Sequence, residues 1–417
     1  MARKESFIRY NRNIVRIAGL LVLVPVSIQA AGIPMTLISD DEADPIHSAI
    51  IRREAWTQDA VRRLRAEADK RAKEGSWTVT SDRPLGIDLD PHDYYSEAPY
   101  WWPNPDNPSG PYIRHDGRIN TDRFMANRAA LTSMCDAVFT LGSAAFFLDD
   151  AKYGKRAARI VNVWFVNPKT RMNPNLDHAQ AVRGVDTGRP EGVLDGRGFI
   201  RAIQGIEFLA QAGALDPREQ AAVRRWFEEY LRWLTQSKNA IDEKNSGNNH
   251  ASWWTAQTAA VASFVENKRE ENMAFEYYSD HIFPRQIRAD GAAPREEART
   301  RSLSYSAFNA EALTMTCRIA QAAGVDLWSV RTKNGATLAT VINYLAPYLS
   351  EPKKWTKEQI SELQNEGLYF LAFAGMGMKK PEYLAMYHKL ERPEGAWLAF
   401  VDLVVGRWEA AAHQTRH

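Results

Sequence analysis

Lys244-Asn245-Ser246-Gly247-Asn248-Asn249-His250-Ala251-Ser252-Trp253-Trp254 is followed by Ala256, Ala259, Ala260, Val261 and Phe264. The apolar spacing downstream is that of a buried helix. An Asn at its start can accept from the orphan N–H groups of the first turn. Capping explains one Asn. It leaves a second Asn, a His and a Trp pair unexplained, at a helix N-terminus whose partial positive charge favours an anion. The stretch therefore predicts a core helix with a functional group at its mouth.

Working outward, the helical pattern continues to the C-terminus. Helices are expected near 122–148, 150–165, 198–213, 217–238, 249–266, 268–289, 304–323, 334–349, 357–375, 380–390 and 396–411. Asp216-Pro217 and Ser304 read as starts, Gly213 and Gly324 as stops. Upstream, Ile46–Ala72 is also helix-periodic, with Ile50, Ile51, Trp56, Val61 and Leu64 on one face. No run alternates like a strand. Paired helices with so little sheet predict an all-α chain wound into an α/α toroid, an incomplete α/α barrel. There is no fixed-period repeat, so a solenoid is not expected. No low-complexity linker interrupts residues 32–417, which read as a single domain.

Residues 1–31 read as an export signal. Arg3, Lys4, Arg9, Arg12 and Arg16 precede an apolar run from Ile17 to Ile28, too short to span a bilayer. Gln29-Ala30-Ala31 offers a cleavage site. The expected location is periplasmic or secreted, without stable membrane association once the signal is removed; an uncleaved N-terminal anchor is the alternative. The leader also carries the excess of basic charge. Without it the chain turns slightly acidic, so nothing global points to nucleic acid, and an anionic ligand would need a local basic cleft. Cys135 and Cys317 could be bridged or free.

Three stretches break the helical train. Pro84–Asn120 is rich in Pro and Gly and contains Asp88-Leu89-Asp90-Pro91-His92-Asp93-Tyr94-Tyr95-Ser96-Glu97-Ala98-Pro99-Tyr100-Trp101-Trp102-Pro103. It cannot be helix, and it is too aromatic for disorder, so a loop lying over a cleft is expected. Asp88, Asp90 and Asp93 lack the spacing of a calcium loop. Asn173–Gly192 is a second break. Asp290–Tyr305 is the third, with Arg295, Arg299 and Arg301 ahead of Tyr305. Arg charges favour a phenolate and should lower the Tyr305 pKa, suiting it to proton transfer. The chain also has 13 Trp and 15 Tyr, in clusters that suit the faces of sugar rings as well as a core.

These residue types fit elimination on a uronic acid polymer. Loss of the C5 proton, next to a carboxylate, needs donors placed where charge develops, and Asn, His and Arg are such donors. A Tyr or His takes the proton, and the Tyr can return one to the leaving oxygen at C4.

His92–Pro103 with Tyr112-Ile113-Arg114 and Gly117, Met172–Leu176 with Ala179-Gln180, Asn248-Asn249-His250, and Arg299-Thr300 with Ser302 and Ser304-Tyr305 resemble the alginate-lyase-domain family of polysaccharide lyases. The likeness runs over about residues 45–375 and is nearest to polysaccharide lyase family thirty-eight, whose members cleave alginate or glucuronan. It implies an α/α toroid in which Asn249 and His250 neutralise the carboxylate, Arg299 assists, and Tyr305 serves as base and acid. His92, Tyr94, Tyr95, Tyr100, Trp101, Trp102, Asn175, His178, Gln180, Arg189, Asn248, Trp253 and Arg301 are expected to hold the sugar chain. His178 stands where relatives carry an aromatic. No metal or other cofactor is called for. Two other classes stay open: a hydrolase, for which Asp93, Glu97, Glu296 and Glu297 are candidate carboxylates without an obvious pair, and a non-catalytic polysaccharide-binding protein.

Overall fold

The computed structural model describes residues 35–84, 86–363, 368–390 and 394–414, so the expected signal lies outside the described residues. Its helices are α1 (Asp40–Ile51), α2 (Gln58–Arg71), α3 (Ala126–Phe147), α4 (Ala151–Val161), α5 (Phe199–Gln211), α6 (Pro217–Gln236), α7 (Lys238–Lys244), α8 (Asn249–Phe264), α9 (Lys268–Tyr277), α10 (Phe283–Gln286), α11 (Pro294–Glu297), α12 (Ser302–Ala322), α13 (Leu338–Ser350), α14 (Phe370–Gly377), α15 (Pro381–Lys389) and α16 (Ala396–Gln414). Helices α3, α5, α8, α12, α14 and α16 each pack on the next, and α16 returns to α3. Outer helices back this ring: α4 on α3, α6 and α9 on α8, α13 on α12, α15 on α14, and α2 across α16 and α3. The arrangement is an α/α toroid.

The ring helices are apolar on nearly every face, as a helix buried all round must be. In α8, from Ala251 to Val261, every residue is buried. Helices α3 and α5 touch backbone to backbone at Gly142 and Gly205, where a methyl on Gly142 would meet the Gly205 carbonyl oxygen at 2.3 Å. Gly213 and Gly324 take positive φ beyond the ends of α5 and α12, as their stop signals predict. Asp216 caps α6 in a capping box with Glu219, with Pro217 in the first turn.

Several expected bounds shift for tertiary reasons. The 46–72 periodicity is cut in two by a turn at Arg53, held at φ 57°. Helix α12 starts at Ser302 instead of Ser304. Its first turn is capped from outside: Ser302 N–H donates to the Glu358 carbonyl, and the Leu303 and Ser304 N–H groups donate to Gln359 Oε1. The same contacts hold Glu358–Ile360 out of the helix expected over 357–375. The run expected over 217–238 breaks at Ser237, which ends α6 and caps α7.

The 84–120 loop carries β1 (Tyr95–Glu97), β2 (Trp101–Trp102) and β3 (Ile113–Arg114). Strand β1 pairs in parallel with β4 (His178–Ala181), and β2 pairs antiparallel with β3. Cys135 and Cys317 are both buried free thiols. Near the start of the described chain, Thr36 donates from N and Oγ1 to Glu207, and Leu37 N–H donates to Gln204. Burial pushes the Glu207 carboxyl up to about 8.

Candidate active site

The three helix breaks and the start of α8 meet around one cavity of 670 Å³. Tyr100 and Trp101 come from β2 and its approach, Gln180 and Arg189 from the second break, Asn248 and His250 from α8, and Arg299 and Tyr305 from the third. Arg114, Arg128 and Arg197 add to the wall. A chain with nearly balanced charge thus gathers five arginines against three carboxylates, Glu191, Asp242 and Glu243, on one surface, a net basic lining of the kind an anionic ligand requires.

At the centre stands Tyr305. Its hydroxyl lies 2.6 Å from that of Tyr100 and accepts from Arg299 Nη2 at 2.9 Å. Arg299 Nε and Nη2 also donate to the Asp116 carboxylate at 3.1 and 2.7 Å, and Thr300 donates to it from N and Oγ1. Burial raises the Asp116 carboxyl, but Arg299 and Thr300 outweigh it and hold it at about 2. The expected fall in the Tyr305 pKa is overturned. Burial, then the neighbouring Tyr100, push the phenol up, and Arg299, its charge shared with Asp116, only partly opposes them. Tyr305 therefore holds its proton more tightly than a free phenol does.

His250 donates its Nδ1 proton toward Glu243 Oε1, 2.7 Å away. Glu243 is 1% exposed. Burial alone would favour the neutral ring, but the charge of Glu243 and its hydrogen bond outweigh this and raise the His250 pKa. Glu243 itself is raised by burial, so the pair keeps one proton to higher pH than a free imidazole does. With Nδ1 held by Glu243, Nε2 is the ring nitrogen left for other contacts.

Asn248 caps α8 by accepting from His250 N–H and lines the cavity. Asn249 does not reach the cleft. It is fully buried, and its N and Nδ2 donate to Glu296 at 2.6 and 2.7 Å. Several other residues expected to hold the sugar chain lie off this cavity. Tyr94 is buried and donates to Asp195, and Tyr95 is buried and donates to Glu97. Trp102 donates to the Arg118 carbonyl; next to cavity-lining Trp101 on a strand, it faces the other way. His92 bonds the Arg171 carbonyl, His178 the Thr187 carbonyl, and Asn175 the Asp177 N–H. None of these lines the cavity. The carboxylates weighed for a hydrolase lie elsewhere too: Asp93 on Asn173, Glu97 on Arg183, Glu296 on Asn249, and Glu297 on Tyr344 and Lys357.

A smaller chamber of 290 Å³ adjoins, sharing Tyr100, Arg197, Tyr305 and Phe308 with the outer cavity. Trp253 and Arg301 line it, so both expected contacts fall beyond Tyr305.

The family model for alginate lyase matches residues 78–355. The chain belongs to the alginate lyase family. Among solved structures it is similar to an alginate lyase from Bacteroides ovatus, at 30% identity and a TM-score of 0.82, over 88% of this chain and 98% of that one. It is similar in fold to alginate lyase A1-III from Sphingomonas species A1, at 14% identity and a TM-score of 0.52, over 79% and 90%. A variant of alginate lyase A1-III was solved in complex with a tetrasaccharide; it matches at 14% identity and a TM-score of 0.50, over 75% and 84%. The comparison with curated proteins gives no match.

In this alginate lyase family member, sequence reasoning passed over Glu243, Asp116, Asp195 and Arg197. Asp195 accepts from Tyr94 and Ser96 on one oxygen and from Gln180 on the other, with Arg128 at 3.5 Å, and so sets two cavity-lining side chains. The one signal on offer was Glu243 seven positions before His250, one turn of α7 and a cap away. Gln180 is held at φ 51°, a strained backbone of the kind found at sites.

Proposed function

We propose that the protein is a polysaccharide lyase that cleaves a 1,4-linked polyuronate, alginate or glucuronan, by β-elimination. The observation that carries this reading is Tyr305, its hydroxyl fixed by Tyr100 and Arg299, on the wall of an arginine-rich cavity that also holds His250. Arg299 and Asn248 receive the substrate carboxylate and oppose the charge that builds as C5 loses its proton. Asn249 supports them indirectly, by fixing Glu296 and the start of α8.

Tyr305 was expected to serve as both base and acid. A phenol held protonated by burial suits the acid role, and the Glu243-backed imidazole of His250 is the better base. In the proposed step, His250 Nε2 takes the C5 proton, the electron pair forms the C4–C5 double bond, the C4–O4 bond breaks, and Tyr305 gives its proton to O4. Aromatic faces such as Trp101 hold the rings. A hydrolase would need two free carboxylates across the bond; Asp93, Glu97, Glu296 and Glu297 are engaged away from the cavity, and of the carboxylates on its wall Glu243 is held by His250, Glu191 by Arg189 and Asp242 by Lys238. Export by residues 1–31 to the periplasm or beyond suits a polymeric substrate; fractionation of expressing cells tests it.

The functional test is a panel of polymannuronate, polyguluronate, glucuronan and hyaluronan, read by the ultraviolet absorbance of unsaturated product ends. The expected result is absorbance growing with one of the first three. Reducing ends without absorbance, or no turnover of any polymer, would overturn the reading.

A further inference from the structure

The inner chamber contains polar groups that neither the fold nor the proposed elimination uses. Arg197 lines both chambers, yet it forms no ion pair with any described residue. Its one hydrogen bond among the described residues is a long one, 3.5 Å, to the Leu194 carbonyl. Its neighbours include two further guanidinium groups, Arg128 and Arg201, with Asp195 and Glu311 opposing them, and burial with Arg128 beside it pulls its pKa down. Arg128 is directed at Asp195 and Arg201 at Asp136, at 3.5 and 3.1 Å, and Arg301 bonds Ser361, which leaves Arg197, among the described residues, as a cation on the shared wall without an ion pair. Arg197 is partly buried; a cation withdrawn from water without an ion-pair partner costs stability, and removing it should be tolerated unless something anionic docks there. Nearby, Trp253 is 3% exposed and its indole N–H has no partner. The Trp397 indole N–H, on the same chamber, is also buried without one. Guanidinium and indole N–H groups are donors only; Glu311, which accepts from Tyr369, is the carboxylate on the same lining, so donors outnumber it and the chamber suits an acceptor-rich guest. Its apolar wall is aromatic: Phe308 lies under Arg197, at 5.6 Å, and tilted against Trp253, with ring centroids 5.1 Å apart.

We infer that the inner chamber is a second uronate subsite, in which Arg197 receives the carboxylate of the sugar residue across the cleaved bond and Trp253 and Trp397 donate to its hydroxyls. The inference rests on the lyase reading and deepens it. Tyr305 stands between two carboxylate-binding chambers, so the protein selects two consecutive uronates. An alternating polymer such as hyaluronan, with a neutral amino sugar beside each uronate, leaves Arg197 unpaired. Arg197 is thus a specificity-determining residue.

The test uses the full mature protein carrying Tyr305→Phe, to silence turnover, with and without Arg197→Gln. Calorimetric titrations with a tetramannuronate, a tetraglucuronate and a hyaluronan tetrasaccharide give the affinities. Arg197→Gln is expected to weaken binding of the homopolymeric tetrauronate that the parent holds best by about tenfold or more, the worth of a charge-assisted hydrogen bond. Hyaluronan binding should not change, the salt dependence of tetrauronate binding should become shallower, and the melting temperature should stay level or rise, since a partly buried charge without an ion-pair partner is gone. Arg197→Lys should keep the salt dependence and lose only part of the affinity, because it retains charge without the planar fork. Equal tetrauronate affinity with and without Arg197 overturns the subsite and leaves the lyase reading standing, as does a parallel loss for all ligands with a lowered melting temperature. A parent protein that binds no tetrauronate overturns both.

Discussion

The guanidinium carbon of Arg299 lies 3.9 Å from the centre of the Tyr305 ring, while its Nη2 reaches that residue's hydroxyl. One side chain therefore both stacks on the phenol and bonds its oxygen, and only a planar fork can do the two together. Arg299→Lys keeps the charge and loses this geometry. We expect kcat/KM to fall about 10²- to 10³-fold, the scale of losing a preorganised donor, with the melting temperature little changed.

Asp116 is the other anchor of Arg299, and it comes from the loop that carries Tyr100 and Trp101. Asp116→Asn should loosen that loop from the start of α12 and lower kcat/KM about tenfold. The carboxylate charge of Asp116 is among the groups that raise the Tyr305 pKa. Its removal should move the alkaline limb of the kcat profile to lower pH, a change that a loss of loop packing alone would not produce.

His250 must be neutral to take a proton, and Glu243 raises its pKa. Activity should therefore rise with pH through a limb above the ordinary imidazole value of about 6.5. Glu243→Gln removes the main opposing charge, leaving Glu191 and Glu296 as the weaker ones, and should shift that limb toward acid. The same variant should lower kcat, since the ring loses its orienting partner. A pH–rate profile of parent and variant reads both effects.

Much of this was legible in the chain. Helix periodicity set the toroid because buried ring helices such as α3 and α8 have long apolar runs, and Gly213, Gly324 and Asp216 mark their ends by local chemistry. Tyr305, Arg299, His250, Tyr100 and Trp101 stood out by residue type and do share one cavity. What stayed hidden depends on partners distant in sequence. Gln359 caps α12 across 55 residues, Asp116 reaches Arg299 across 183, and Glu296 takes up Asn249. Tyr94 and Tyr95 look like Tyr100 in the chain, and only burial against Asp195 and Glu97 separates them from it.

Glu207 gives a stability prediction independent of catalysis. Its carboxyl is raised from 4.5 to about 8 by burial, so the folded state holds the proton more tightly than the unfolded chain does. Stability should be full below about pH 4.5 and decline as pH rises toward about 8. Gln can keep one acceptor and one donor toward Thr36 and has no charge to bury. Glu207→Gln should therefore flatten the decline and melt several degrees above the parent at pH 8, as thermal unfolding at pH 5, 7 and 9 would reveal.

The central claim is that Tyr305 delivers the proton that completes an elimination. Tyr305→Phe keeps the ring and its stacking on Arg299 and removes only the hydroxyl. Initial rates of ultraviolet absorbance on the preferred polyuronate, with tetrauronate affinity measured alongside, test it most directly. The account predicts a loss of at least about 10³-fold in kcat with affinity retained within a fewfold. A Tyr305→Phe protein that still generates unsaturated ends at near the parent rate would contradict it.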